Sequence, residues 1–261
     1  MEDPNVKIDR IIAEGINFRF GDYISEGFAI FKKDAWPFIG FTVVFFVLAM
    51  VINFIPFVGP IANNLIVTPA LTVGIYLFAR KLQVGETAEF GDFFKGFDFI
   101  AQLAISTIVK GLIIGLTFIP FGLIFWNYGW VEWYMNLLQH PGTPPTDLPQ
   151  FPPFWAFLLL LPAIFLSICY AWTYLFIAFY KMEFWDAMEA SRKLIMKKFW
   201  IMLAFMWVVA MILIAGIFLF CIGILVTFPA AMCMTYAAFA DVTRLNEVSG
   251  EGAGIEEHLI E

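Results

Sequence analysis

The sequence predicts an all-α polytopic membrane bundle, and three observations predict it. Apolar residues make up 61% of the 261 residues and charged residues 14%, against roughly half and about a quarter in soluble domains. The apolar residues gather in six runs of a length that lets a helix cross ~30 Å of hydrocarbon. Lys and Arg lie between alternate runs only, apart from one. So much apolar surface overfills a single aqueous core of this length, whereas a bilayer solvates it.

Residues 1–34 form an N-terminal segment that is polar and mixed in charge up to Arg19. Met1 to Arg19 has no apolar core and no small-residue cleavage site, so it reads as no signal peptide. The first span is expected over 35–55. The turn Ile55-Pro56-Phe57-Val58-Gly59-Pro60 separates it from a second span over 61–79. A third covers 99–119, with an apolar extension toward Trp126, and a fourth covers 154–180. The fifth and sixth, 199–220 and 222–240, are split at Cys221-Ile222-Gly223; unbroken, they would make one helix of ~60 Å, about twice the core thickness. Together 1–241 reads as a single membrane domain. Residues 242–261, rich in Glu and Gly, read as a disordered acidic tail. From Asp241 onward there are six acids against Arg244, which accounts for most of the net charge of −7.

Orientation follows from the cations. Lys7, Arg10, Arg19, Lys32 and Lys33 precede the first span. Arg80, Lys81 and Lys95 lie between the second and third, and Lys181, Arg192, Lys193, Lys197 and Lys198 between the fourth and fifth. Arg244 follows the sixth. The opposite loops, at 56–60, 127–153 and near 221, carry none. The expected topology is therefore N-in and C-in across a cytoplasmic (inner) membrane. Trp36, Trp185 and Trp200 suit its inner boundary, and Trp126, Trp130, Trp133 and Trp155 its outer one. The outer loop holds a Pro-rich stretch, His140 to Asp147, after a short interfacial helix near Trp130 to Leu138.

The chain reads as three quasi-repeated hairpins, each an amphipathic segment, a span, a turn and a returning span. Lys32-Lys33 with Trp36 matches Lys197-Lys198 with Trp200; Pro69-Ala70 with Tyr76 matches Pro229-Ala230 with Tyr236. Pro162-Ala163 with Tyr170 is one residue out of phase. All three units start and end inside, so the repeat is parallel. Phe90, Phe93, Phe94 and Phe97 share one helical face, with Asp92, Lys95 and Asp98 on the other. Phe184, Trp185, Met188 and Ile195 do the same in the third unit, and Tyr23, Ile24, Phe28 and Phe31 in the first. Such segments suit the cytoplasmic-side interface as amphipathic helices, with cations near anionic headgroups; a connector packed on the bundle is the plainer alternative.

The stretch Ala187-Met188-Glu189-Ala190-Ser191-Arg192-Lys193 through Lys198-Phe199-Trp200, with Cys221-Ile222-Gly223, Tyr236 to Asp241 and the opening Gly27 to Lys33, is similar to uncharacterised bacterial polytopic membrane families. These are related to the membrane domain attached to some glycerophosphoryl diester phosphodiesterases. The resemblance covers most of residues 20–241 and implies a six-helix membrane domain without the phosphodiesterase barrel. Some relatives carry a beta-carotene monooxygenase label. That chemistry needs an iron site of several histidines, and this chain has only His140 and His258.

Among candidate sites, Lys110 falls inside the third span, where a Lys costs roughly 2.5–3.5 kcal/mol at mid-bilayer. Read functionally it is an anion site, for instance for a lipid phosphate. Read plainly, the span is shifted outward and Lys110 snorkels. Lys193, Lys197, Lys198, Lys32 and Lys33 are the other candidate headgroup contacts. Pro69, Pro162 and Pro229 are candidate helix kinks. Gly111-x-x-x-Gly115 suggests close helix approach, as do Ala70 and Gly74. Asn53, Asn63 and Asn64 are expected to hydrogen-bond across the first outer turn. Cys169, Cys221 and Cys233 have no metal-ligand spacing and read as helix-interface residues. No span contains Asp or Glu, and no catalytic triad, phosphate loop or His-Glu metal motif occurs. No cofactor and no nucleic-acid partner is expected; membrane lipids are the expected partners, with another membrane protein as a further candidate. The function expected is non-catalytic: scaffold, accessory subunit or lipid-organising protein. The alternative is a small transporter or lipid translocator using Lys110 and the Pro-broken helices.

Overall fold

The computed structural model describes residues 4–140, 147–218 and 223–245. Among these residues there is no strand. The order is α1 (Pro4–Glu14), α2 (Phe20–Lys33), α3 (Ala35–Asn53), α4 (Val58–Ala62), a π-turn at Asn63–Val67 and α5 (Thr68–Val84). A 3-10 helix, Phe90–Phe99, leads into α6 (Ile100–Asn127), and α7 (Trp130–Gln139) follows. A second 3-10 helix, Phe154–Leu160, leads into α8 (Leu161–Cys169) and α9 (Thr173–Tyr180). Then come α10 (Phe184–Lys197), α11 (Phe199–Phe218) and α12 (Ile224–Val242). Six stretches are long and apolar enough to cross a membrane: Ala35–Asn53, Val58–Val84, Phe90–Asn127, Phe154–Tyr180, Phe199–Phe218 and Ile224–Val242. Cys221, the 141–146 part of the outer Pro-rich stretch and the acidic residues from 246 onward lie outside the described residues. Of the tail expected over 242–261, only 242–245 lie among the described residues, and there Val242, Thr243 and Leu245 are buried.

The single domain expected over 1–241 divides into two compact units: residues up to Thr107 together with those from Cys169 on, and Ile108–Ile168. In the larger unit α5, α9 and α12 form the centre. The α5 helix contacts both others, and Phe176 of α9 meets Phe239 of α12 edge-on, centroids 5.0 Å apart. Three segments that precede spans lie on these helices: α2 on α12, the Phe90–Phe99 helix on α5, and α10 on α9.

The faces buried in these contacts differ from the sequence expectation, and small residues explain it. On α2 the buried side is Tyr23, Gly27, Ile30 and Phe31; a Cβ on Gly27 would overlap the Met234 backbone of α12. On α10 it is Ala187, Met188, Ala190, Ser191, Leu194 and Ile195, which leaves Trp185 exposed. The Phe90–Phe99 segment is a 3-10 helix, in which Phe93 and Gly96 stand one turn apart. These two are buried, whereas Phe90 and Phe94 are not. Asp92, expected on the outer face, is also buried. It accepts hydrogen bonds from Lys81 Nζ (2.9 Å) and the Glu89 amide (2.8 Å) and pairs with Lys95 (2.6 Å).

Two interruptions of the central helices have visible compensation. Pro69 supplies no amide, and the chain enters α5 through the π-turn, with the Thr68 amide donating to Asn63 O. The fourth span breaks at residues 170–172, and it also passes from 3-10 to α-helix at Leu161, beside Pro162, which sits near the start of α8 where no donor is needed. At the break Ser191 Oγ donates to Cys169 O (2.7 Å) and accepts from the Trp172 amide (3.2 Å). One buried hydroxyl thus satisfies a carbonyl and an amide at the break. Asn63 and Asn64 bond locally, Asn64 to Pro60 O (2.8 Å) and Thr68 to Asn63 (3.4 Å), and not across the first turn; Asn64 and Pro60 sit one turn apart, within easier reach than the facing helix.

The smaller unit is built by the rest of α6, by α7, and by the chain through most of α8. Phe121 meets Phe157 at 5.7 Å and Phe125 meets Trp130 at 5.8 Å. Trp130 Nε1 donates to Gln150 O (3.0 Å). The helix expected near Trp130–Leu138 is α7. Leu112, Leu116, Leu123, Leu158 and Leu161 are all exposed. A Cβ on Gly111 or Gly115 would meet nothing within 4 Å, so the close approach expected there is not made within the smaller unit.

Candidate functional site

Lys32 and Lys33 end α2 and are exposed. Lys33 donates to Leu82 O (2.8 Å), and the Lys32 ammonium lies 5.5 Å from the Phe28 ring centroid. Lys197 and Lys198, at the end of α10, are exposed too, and Trp36 and Trp200 follow the two pairs at 81% and 79% exposure. Lys110 is half-buried in α6, ~15 Å along the axis from Ile100 and ~25 Å before Asn127. It therefore lies off the helix centre. Pro229 is inside α12, and Pro120, which was not among the expected kinks, is inside α6. No single site gathers the lysines and prolines together; the structure joins Lys193 and Lys197 with residues of α1 instead.

The first helix was not expected. Its signals are Pro4 at the start, where a missing amide costs nothing, and Ile8, Ile11 and Ile12 at helical spacing. Ile8 and Ile11 are buried, as is Lys7, which donates to Arg244 O (3.0 Å). This docking sets α1 against α10. Between them lies a groove of about 400 Å³ lined by Asp9, Ile12, Arg192, Lys193, Met196 and Lys197.

Its electrostatics are asymmetric. Arg192 grips Glu189 bidentately, Nε to Oε2 at 2.8 Å and the second nitrogen to Oε1 at 2.6 Å, and contacts Met196 Sδ (3.1 Å). The guanidinium holds the Glu189 carboxyl below its ordinary pKa, and the carboxylate raises that of Arg192. Lys193 and Asp9 approach only to 3.6 Å and both are largely exposed. Three cations thus line or border the groove against Asp9 and the engaged Glu189.

A second polar centre ties α2 to the end of α12. Tyr23, fully buried, donates its hydroxyl to Asp241 Oδ2 (2.6 Å), and Arg19 pairs with Asp241 Oδ1. Burial, and then the Asp241 bond, push the Tyr23 pKa up. A raised tyrosine pKa leaves this contribution to stability intact below about 10 and removes it as pH climbs beyond. Asp241→Asn should cost about 1.5–3 kcal/mol, the range for hydrogen bonds to a charged group, read as a lower unfolding midpoint in detergent; an unchanged midpoint would show the contact is idle.

Among the described residues no three His, Cys, Asp or Glu side chains converge as a metal site. Cys169 and Cys233 are buried. No family model matches the chain, and neither curated proteins nor solved structures provide a match.

Proposed function

We propose that the protein is a non-catalytic, six-span protein of a bacterial cytoplasmic membrane, N-in and C-in, that organises lipid around it or serves as scaffold or accessory subunit. The observation that carries this reading is how the centre of the larger unit is filled. Its large buried side chains are Trp172, Tyr236, Phe78, Phe176 and Phe239. The buried hydroxyl of Thr173 donates to Tyr170 O at the break, and that of Thr235 to Ala231 O one turn earlier in α12. Aromatic packing fills this centre, and the one hydroxyl among these large side chains, that of Tyr236, is engaged by Gln83 Oε1 (2.6 Å). The cations and exposed tryptophans instead sit at helix ends, where anionic headgroups would lie. Kinship with the membrane domains of glycerophosphoryl diester phosphodiesterases belongs to the same proposal.

The π-turn before Pro69 and the break at 170–172 favour the second reading, a lipid translocator, since transporters use interrupted helices. Reconstitution decides between the two. Vesicles carrying a fluorescent phospholipid and the protein should show no more leaflet exchange than empty vesicles, by dithionite quenching. Exchange that disappears in Lys110→Ala would replace the scaffold with the translocator. For orientation, cysteines introduced at Lys81 and Lys193 should react with an impermeant maleimide only from the cytoplasmic face. Labelling from outside intact cells would reverse the topology.

A further inference from the structure

We propose that the groove between α1 and α10 binds the phosphate of an anionic phospholipid headgroup, with Lys193 and Lys197 as its cationic ligands. The proposal rests on the membrane reading above and gives it a site. Lys193 and Lys197 stand four residues apart on α10, on one helix face, with Cβ atoms ~6 Å apart. Both are exposed and both line the groove. That spacing lets two ammonium groups flank one phosphate.

The remaining groups sort themselves around this pair. Arg192 is held by Glu189 at 2.8 and 2.6 Å, so it adds field without being free to swing. Asp9 competes for Lys193, but at 3.6 Å and at high exposure the contact is weak and open to displacement. A phosphate diester between the two lysines leaves Asp9 within reach of headgroup hydroxyls, which a carboxylate accepts.

The surroundings select a lipid over a dissolved anion. Ile12 and Met196 give the groove an apolar lining beside its cations, and Met196 is itself 45% exposed. Lys197 lies two residues before α11, a helix long enough to span a membrane. Trp185 and Trp200, both well exposed, precede and follow the basic stretch in the manner of interfacial anchors. A glycerophosphate with its acyl chains beginning alongside matches this order of basic, then apolar, surface. The groove is also large enough, since ligand pockets begin at about 300 Å³.

The test uses the full chain in nanodiscs of mixed phosphatidylglycerol and phosphatidylcholine, with retained lipid counted by native mass spectrometry. The wild type should retain phosphatidylglycerol selectively. Lys193→Ala/Lys197→Ala should lose about tenfold or more of that selectivity, given the contribution of each headgroup lysine, with its unfolding midpoint unchanged. Asp9→Asn should raise retention several-fold by removing the competing carboxylate. Lys32→Ala/Lys33→Ala, of equal charge change, should leave the groove's share untouched. Equal retention by the Lys193/Lys197 variant and the wild type would overturn the groove while leaving a lipid-organising role standing. Displacement of the lipid by millimolar inorganic phosphate would overturn the lipid in favour of a soluble phosphate. The membrane reading itself falls only if the chain stays monomeric in buffer without detergent or lipid.

Discussion

Phe93→Ala should destabilise the larger unit by about 3–5 kcal/mol, the range for truncating a buried aromatic. The Phe93 ring is stacked on both sides: its centroid lies 4.1 Å from Phe41 at 8° and 4.1 Å from Phe78 at 12°. Phe38 adds an edge contact at 5.7 Å. All four rings are fully buried. They come from α3, α5 and the 3-10 helix, so one truncation opens a void that three elements share. Lipid does not fill such a void, and the loss is of packing between side chains, the force that persists where the medium is itself apolar. Phe90→Ala is the matched control, because Phe90 is 45% exposed, and it should cost well under half as much. Unfolding in mixed detergent–SDS micelles measures both. A Phe93→Ala midpoint equal to that of Phe90→Ala would mean that the stack contributes no more than a surface ring.

The same residues show where the sequence was legible. The span positions follow from length and apolarity, which lipid imposes directly, and they agree with the helices to within a few residues at most ends. The faces of the intervening segments were harder. Helical periodicity grouped Phe90, Phe93, Phe94 and Phe97, but a 3-10 helix carries the segment, and of these four only Phe93 is buried. Nothing in the pattern of Phe residues separates a period of 3.0 from one of 3.6 over ten positions. The break at 170–172 was invisible for another reason: its backbone is satisfied by Ser191, a residue about 20 positions away. The groove was half legible. Lys193 and Lys197 stood out by charge, but the opposite wall depends on α1, whose isoleucine spacing lies in a polar segment easily taken for a mere flank.

Enlarging glycines should have opposite consequences in the two units, and the contrast reports what covers each helix. Gly27→Val drives a branched side chain into the Met234 backbone, and Gly96→Val drives one into the Ala70 carbonyl. Backbone cannot rotate aside as a side chain does, so each should exceed the 1–3 kcal/mol typical of overpacking and abolish accumulation of folded protein. The milder Gly27→Ala and Gly96→Ala should still fold poorly, since a single Cβ already meets backbone. Gly111→Ala and Gly115→Ala point into open space on α6 and should instead gain up to about 1 kcal/mol of helix propensity each. Because α6 exposes Leu112 and Leu116 beside those glycines, the sign of this second pair carries information beyond stability. A gain means that lipid, which accommodates a methyl group, lies against that face. A loss comparable to Gly96→Ala would mean that another helix, from a second copy or a partner, closes on it at glycine distance, because only protein backbone penalises one methyl group so heavily.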